Sequence, residues 1–432
     1  MITNLRSAAE LENLSFLDYI LKENKRIEKK TGLKRTIFAA CPNSMAVMKA
    51  ALNSAKRCNA PIKFATTLNQ VDLDGGYTGL TPKQFVDKIK QLAKAINLQS
   101  PVLIAIDHGG PWLKDSHRKE NLNYEETMER VKKSFEAAIE AGYDLIHVDP
   151  TIDVTLPKGD IIAIETVAKR TVILIKHCEA YRLQKGLPKI AYEVGTEEVH
   201  GGLVDLSVFN KFFVLLKEGL EREGLSDAWP CFVVGKVGTD LHTTEFDAEV
   251  AKTIVDIAAN YGSVIKGHYS DNVTNPEAYP KAGMGGANVG PEFTECEYEG
   301  LMELEEIENQ LFREGHVPKM SGIKQTLWNA VISSGRWVKW LEKEENSKDF
   351  YTNELQRQEW LVKTGCRYIW QNPEVVSSRA ELYENLENNG VKAEQILLSH
   401  IEKAMDKYFY KFNLVDLNDL LEGKELKNNL NL

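Results

Sequence analysis

Between residues 102 and 112 the chain reads VLIAIDHGGPW, an apolar run that closes on Asp107 and His108 before two glycines. An ionisable pair at the end of a buried strand is costly unless it is paired, ligated or used. The pattern recurs. His147 and Asp149 close DLIHVD (144–149), Glu193 lies in KIAYEV (189–194) with Glu197 just beyond, and Lys236 lies in CFVVGKV (231–237). His268 closes SVIKGH (263–268) with Asp271 soon after, and Glu292 follows ANVGP. His108, His268 and one carboxylate of the fifth run form a two-nitrogen, one-oxygen set with open positions, which suits Zn2+, Mn2+ or a similar ion acting as a Lewis acid on a carbonyl. Asp107, Asp149 and Asp271 then remain as proton carriers, with Lys236 a further catalytic candidate. A metal beside several acid/base groups fits reactions through an enediolate, such as aldol cleavage or sugar isomerisation.

These residues need elements that bring them together. Eight short apolar runs recur at 36–41, 62–67, 102–107, 144–149, 189–194, 231–237, 263–268 and 285–290, separated by stretches of helical period. TPKQFVDKIKQLAKAI starts with a Thr cap and a Pro at the first helical position, and NYEETMERVKKSFEAAIEAG ends on a Gly stop. Strands alternating with helices imply parallel pairing, and eight of them predict an α/β protein of the (β/α)8 TIM-barrel class. Active sites of that architecture lie at the C-terminal ends of the strands, which is where the candidates fall. The run TVILIKHC (171–178) is expected to be part of one long helix, because its flanks continue the helical pattern. The expected organisation is an N-terminal segment, 1–34, with an amphipathic helix over roughly Leu11 to Lys29; a barrel, 35–294; and an all-helical C-terminal extension, 295–432, packed on it. The extension's aromatics, Trp337, Trp340, Trp360 and Trp370, are expected in its core, and Gly109 and Gly110 are expected to leave room for substrate.

Composition narrows the function. A net charge of −10 argues against a nucleic-acid surface, and no apolar run approaches the roughly 18 residues that span a bilayer. MITNLRSAAELENLSF lacks the basic-then-apolar pattern of a secretion signal, so a cytoplasmic location is expected. The six cysteines include no CxxC pair and read as reduced core thiols. There is no G-x-x-x-x-G-K-[ST] loop, no G-x-G-x-x-G after a strand and no G-x-S-x-G elbow. No nucleotide cofactor is therefore expected, which counts against an ATP kinase, a nicotinamide dehydrogenase and a serine hydrolase.

The ordered segments NQVDLDGGYTG, DHGGP, HVDPT, GTE, GHYSD and NVGPEFTE resemble those of the Z-type accessory subunits of class II tagatose-1,6-bisphosphate aldolase. That family also contains enzymes that epimerise ketohexoses or tagaturonate at C4. The likeness runs from about 36 to 300, and RYIWQNPEV (367–375) extends it into the tail. By resemblance to the zinc-dependent class II aldolases, Asp107 is the proton carrier and His108 and His268 are metal ligands. For the fifth strand, Glu197 matches the glutamate of GTE, whereas Glu193 lies where those aldolases carry a strand-borne glutamate; Glu197 is favoured. Asn69, Gln70, Tyr77, His147, Ser270, Asn288 and Glu292 are the expected substrate-binding residues. HYSDNV replaces the Gly-Ser-Gly type loop that cradles a phosphate in those aldolases, so a free sugar or sugar acid is favoured over a bisphosphate, although AGMGGANVG could receive a phosphate. The resemblance thus implies a metal-dependent C4 epimerase of a ketohexose or keto-uronate, with a non-catalytic subunit of a class II aldolase as the alternative. A homo-oligomer is expected.

Overall fold

The computed structural model describes residues 2–157, 160–196, 202–203, 205–239, 243–342 and 345–424. Eight strands close a parallel barrel: β1 (Ile37–Ala40), β2 (Ile62–Thr66), β3 (Val102–Gly109), β4 (Leu145–Val148), β5 (Ala191–Val194), β6 (Phe232–Val234), β7 (Val264–Gly267) and β8 (Gly286–Val289). Each pairs with its neighbours in sequence, and β8 returns to β1 through Ile37↔Gly286 and Ala40↔Val289. β1, β2, β4, β5 and β8 are buried at every position, as strands between an inner core and an outer ring of helices must be. A small antiparallel pair, Gly202–Leu203 with Val237–Gly238, lies apart from the barrel sheet.

The helices begin and end where local chemistry directs. Thr81 and Gln84 form a capping box at the start of Pro82–Ala95, and Asn123 and Glu126 do the same for Tyr124–Ala141. The latter stops at Gly142, whose φ of +88° suits glycine. The 171–178 run lies within the helix Ile164–Gln184. The N-terminal segment departs from the single helix expected. Asn13 takes a φ of +56° and Ser15 caps a new start, so the chain forms Ile2–Leu11 and Phe16–Thr31 instead.

Position 294 falls inside the helix Pro291–Arg313. Further on, Ala393–Lys411 lies against the barrel: Tyr408 stacks on Phe38 of β1 at 5.6 Å, and Arg57 pairs with Glu402 and Asp406 at 2.7 and 2.8 Å. Two short 3-10 turns, Arg336–Trp340 and Cys366–Tyr368, bend back over the mouth of the barrel. Among the described residues no helix is long and apolar enough to cross a membrane.

Candidate active site

Neighbouring residues of a strand face opposite ways, so Asp107 and His108 should not both look into the barrel mouth. They do so because β3 ends irregularly. His108 has a φ of +49°, and the register against β4 jumps between Ile106 and Gly109. Tyr269, after His268, repeats the device with a φ of +51°. Left-handed backbone at bulky residues is strained, and its concentration at these two strand ends marks a functional mouth. Gly109 and Gly110 serve this bend rather than leaving room for substrate. A Cβ on Gly110 would lie 1.8 Å from the Asp149 carbonyl oxygen, and one on Gly109 would lie 2.5 Å from the Phe135 ring.

Beneath the mouth is a buried cluster of charge. Lys266 Nζ on β7 donates to Glu193 Oε1 at 2.5 Å and to Asp107 Oδ1 at 3.1 Å. His268 Nε2 lies 3.3 and 3.4 Å from the same two oxygens, and His147 Nδ1 lies 3.2 and 3.6 Å from them. Burial alone would raise the Asp107 carboxyl, but Lys266, His268 and His108 overcome it and hold it well below the usual range. Glu193 is held low likewise, against burial, by Lys266 and His147. Burial lowers His268, against the pull of Asp107.

This donor set fits a divalent ion. Asp107, His147, Glu193 and His268 offer two nitrogens and two oxygens whose close contacts span 3.2–3.6 Å. A tetrahedral ion with bonds of about 2.0–2.1 Å has edges of about 3.4 Å. His147 Nδ1 lies 3.2 Å from Glu193 Oε1 and accepts the backbone N–H of His108 at 3.0 Å, so an ion would take over the one lone pair that this hydrogen bond uses. Lys266 supplies a cation to both carboxylates, and Glu193 Oε2 retains unused acceptor capacity.

His108 occupies a different niche. Its Nδ1 bonds Asp149 Oδ2 at 2.6 Å, and Thr151 holds the other carboxylate oxygen. Although burial opposes it, Asp107 and Asp149 raise His108 to about 9, which keeps the ring an imidazolium at pH 7; with His147 and Asp149 it also forms a second set of residues that could hold an ion. Asp149, at about 2, lies behind His108 and off the cavity wall. Asp271 faces the cavity from the β7 side, its Oδ1 accepting from Gly290 and Glu292 N–H at 2.8 Å each. Burial pushes its carboxyl up to about 7, with Glu292 adding to the rise.

The cavity above these groups has a volume of about 240 Å3, the scale of one small polar ligand. Asn69, Gln70, Tyr77 and Asn288 line it. Asn43, which sequence reasoning passed over, gathers Gln70 Nε2 at 2.7 Å and the Tyr77 hydroxyl at 3.0 Å. Ser270, Glu292 and Lys236 do not line it. Glu292 instead accepts from Lys407 and Tyr408 and ties the C-terminal helix to the barrel. Glu197 lies outside the described residues. The sequence reading also missed Lys266, whose signal was a lysine two residues before His268 on the inward face of an apolar strand. Trp340, expected in the core, reaches the cavity roof with Arg336, Lys339, Arg367 and Tyr368.

The loop that carries Asn69, Gln70 and Tyr77 is anchored by Lys114, which pairs with Asp72 at 2.6 Å and Asp74 at 2.8 Å. Beside it His117 is 1% exposed and bonds Thr127 Oγ1 at 2.9 Å. Burial, helped by Lys114 and Arg130 against Asp72 and Glu120, lowers this imidazole to about 4. The folded state holds it neutral while the unfolded chain gains a proton below its ordinary 6.5, so stability falls as pH drops from 6.5 toward 4. At pH 5 the loss is about 2 kcal/mol relative to pH 7. His117→Gln should flatten the stability profile over that range by this amount, read from urea unfolding at pH 5, 6 and 7; an unchanged slope would contradict it.

Comparison with known proteins agrees with this architecture. Residues 22–416 match the family model described as D-tagatose-1,6-bisphosphate aldolase subunit GatZ/KbaZ-like. A probable tagatose 6 phosphate kinase from Sinorhizobium meliloti 1021 superposes with a TM-score of 0.70 at 21% identity, covering 87% of this chain and 100% of its own. A fructose-bisphosphate aldolase from Campylobacter jejuni superposes at 0.54 and 13% identity, covering 93% and 95%. At these identities the two structures establish the shared fold.

Proposed function

Because the chain belongs to this GatZ/KbaZ-like family, we propose that it is a C4 epimerase of a ketohexose or keto-uronate, working by retro-aldol cleavage and re-addition. One observation carries this reading: Asp107, His108, His268 and Asp271 share a single cavity wall above a buried Glu193–Lys266 pair. Burying so many ionisable groups is expensive, and a scaffold gains nothing from it.

Glu193, His147, His268 and Asp107 would hold the ion, Zn2+, Mn2+ or similar, which when bound supplies Lewis acidity toward the ketose carbonyl. The Asp271 carboxylate takes the O4 proton as the C3–C4 bond breaks, and that bond's electron pair passes into the enediolate of C2 and C3. The released aldehyde turns its other face to C3 and the bond re-forms. The His108 imidazolium, positioned by Asp149, returns a proton to O4 from the opposite side. The sugar gains and loses no atoms or electrons overall, and the proton left on Asp271 returns to His108 through solvent before the next turnover, so no co-reactant is required. The sequence-based choice of Asp107 or Asp149 as base gives way to Asp271, because Lys266 engages Asp107 and Asp149 stands behind His108.

Incubation with D-tagatose, D-fructose or D-tagaturonate, followed by carbon NMR, should reveal inversion at C4 that a chelator abolishes and an added divalent ion restores. Lack of inversion by ion-loaded protein with all three would sink the epimerase reading. Glu193→Gln should weaken divalent-ion binding roughly 100-fold, since even supporting residues of metal sites contribute about 10–100-fold; calorimetry showing equal affinity would remove Glu193 from the ion site.

The family description names an aldolase subunit, which favours a second reading as the accessory subunit of a class II aldolase. Co-purification with such an aldolase and a gain in its thermal stability, without ketose inversion, would select it.

A further inference from the structure

The cavity roof holds a cation that the reaction above leaves unused. Arg367, in the turn Cys366–Tyr368, is 8% exposed and lines the cavity. Its Nε donates to the Thr364 carbonyl at 3.0 Å, one terminal nitrogen is buried without a partner, and it forms no ion pair with any described residue. The guanidinium lies 4.5 Å from the centre of the Trp340 ring and 5.5 Å from that of Tyr368, so stacking fixes it in place. Arg336 packs over the other part of this aromatic layer, 4.0 Å from Tyr368, and shares Asp115 with Lys339. Asp115 is the one carboxylate that Arg336 and Lys339 pair with, and the carboxylates nearest in influence to Arg367, Asp271 and Glu295, form no ion pair with it. A buried guanidinium without an ion-pair partner is held at a cost that a ligand anion would relieve.

The glycine-rich segment AGMGGANVG (282–290), which contains β8 and where a phosphate could have been received, is committed elsewhere. Gly285 N–H donates to Ile265 O and Gly290 N–H to Asp271. A Cβ on Gly285 would meet Val264 at 2.5 Å, so this glycine serves barrel packing.

We propose that Arg367, supported by Arg336 and Lys339, is an anion subsite that receives the terminal carboxylate or phosphate of the sugar and sets its reacting end toward Asp271 and His108. The inference rests on the reading of this cavity as a sugar site and narrows the substrate class to anionic monosaccharides. It also places a specificity determinant in the C-terminal extension rather than in the barrel loops.

The test is calorimetric titration of the full chain, wild type and Arg367→Gln, with D-tagaturonate, D-tagatose 6-phosphate, inorganic phosphate and D-tagatose. The wild type should bind one of the anionic sugars more tightly than D-tagatose, and whether that is the uronate or the phosphate identifies the anion. Arg367→Gln should weaken that sugar roughly 10- to 100-fold, the range for a charge-assisted hydrogen-bond pair. Lys339→Gln, which leaves the buried stack intact, should cost a smaller factor and reduce the salt dependence of binding, so the idea stays testable if Arg367→Gln folds poorly. Equal affinity of wild type and Arg367→Gln for both anionic sugars would overturn the proposal, as would a wild type without preference for either over D-tagatose. Binding is read without turnover. An inert protein whose anion binding depends on Arg367 would reject epimerisation and keep the subsite; C4 inversion with unaltered anion binding in Arg367→Gln would do the reverse.

Discussion

Replacing Lys266 by methionine should lower the free energy of unfolding by about 3–5 kcal/mol, the range for removing one partner of a buried ion pair. Lys266 is 1% exposed and bridges Asp107 and Glu193, which are 5% and 0% exposed. Without the ammonium two carboxylates face each other across the barrel centre with imidazoles and the more distant Lys63 to compensate them. Lys63 is a partial substitute: burial, with Lys266 beside it, lowers it to about 8, so it remains an ammonium at pH 7, but its Nζ reaches neither carboxylate by a hydrogen bond. Pairing Lys266→Met with Glu193→Gln removes one of the stranded charges and should recover part of the loss. A divalent ion draws on the same oxygens, so it should raise the thermal midpoint of Lys266→Met more than that of the wild type. Urea unfolding of the single variant that matched the wild type within about 1 kcal/mol would show that the carboxylates are not ionised in the folded state.

The residues in this cluster also show what a sequence can and cannot disclose. Eight strands were legible because a strand buried on both faces must be apolar for its whole length, and helical stretches between such runs dictate parallel pairing. The polar strand ends were legible for the converse reason: a charge in an apolar run has no cheap structural explanation. Which of them meet depends on backbone geometry that local pattern does not specify. Asp107 and His108 look adjacent and equivalent, yet the φ of +49° at His108 sends one toward Lys266 and the other to Asp149. Glu193 and Lys266 were overshadowed by groups nearer the strand ends, although they face inward on neighbouring sectors of the barrel. The roof was not legible at all. Arg336, Lys339, Trp340, Arg367 and Tyr368 reach the cavity through tertiary docking of the helical extension, and periodicity says only that such helices bury a face.

Asp271→Asn should lower kcat about 10²–10⁴-fold, the usual worth of a positioned proton carrier, while making the protein more stable at alkaline pH. Both effects have one origin. The Asp271 carboxyl is raised to about 7 from an ordinary 3.8, chiefly by burial and secondarily by Glu292, although two backbone N–H groups oppose the rise. A raised folded-state value means that the stability it contributes is complete below 3.8 and is lost as pH climbs through 7, where the folded state must carry a buried charge. The full difference is about 4 kcal/mol. The Asp271→Asn variant would escape it, while the amide oxygen introduced there still accepts from the Gly290 and Glu292 N–H groups. Activity runs the other way. The base that takes the O4 proton must be ionised, so kcat/KM of the wild type should rise with pH and level off near 7, about tenfold per unit on the acid side. Asp271→Asn should lack this limb, since an amide has no proton to lose there. A variant that kept the limb would assign the titration to another group, and one equally active but no more stable at about pH 8 would show that Asp271 is neither the base nor a buried charge. Loss of activity together with gain of stability is the pattern that a structural carboxylate would not produce, because its replacement would leave the chemistry alone.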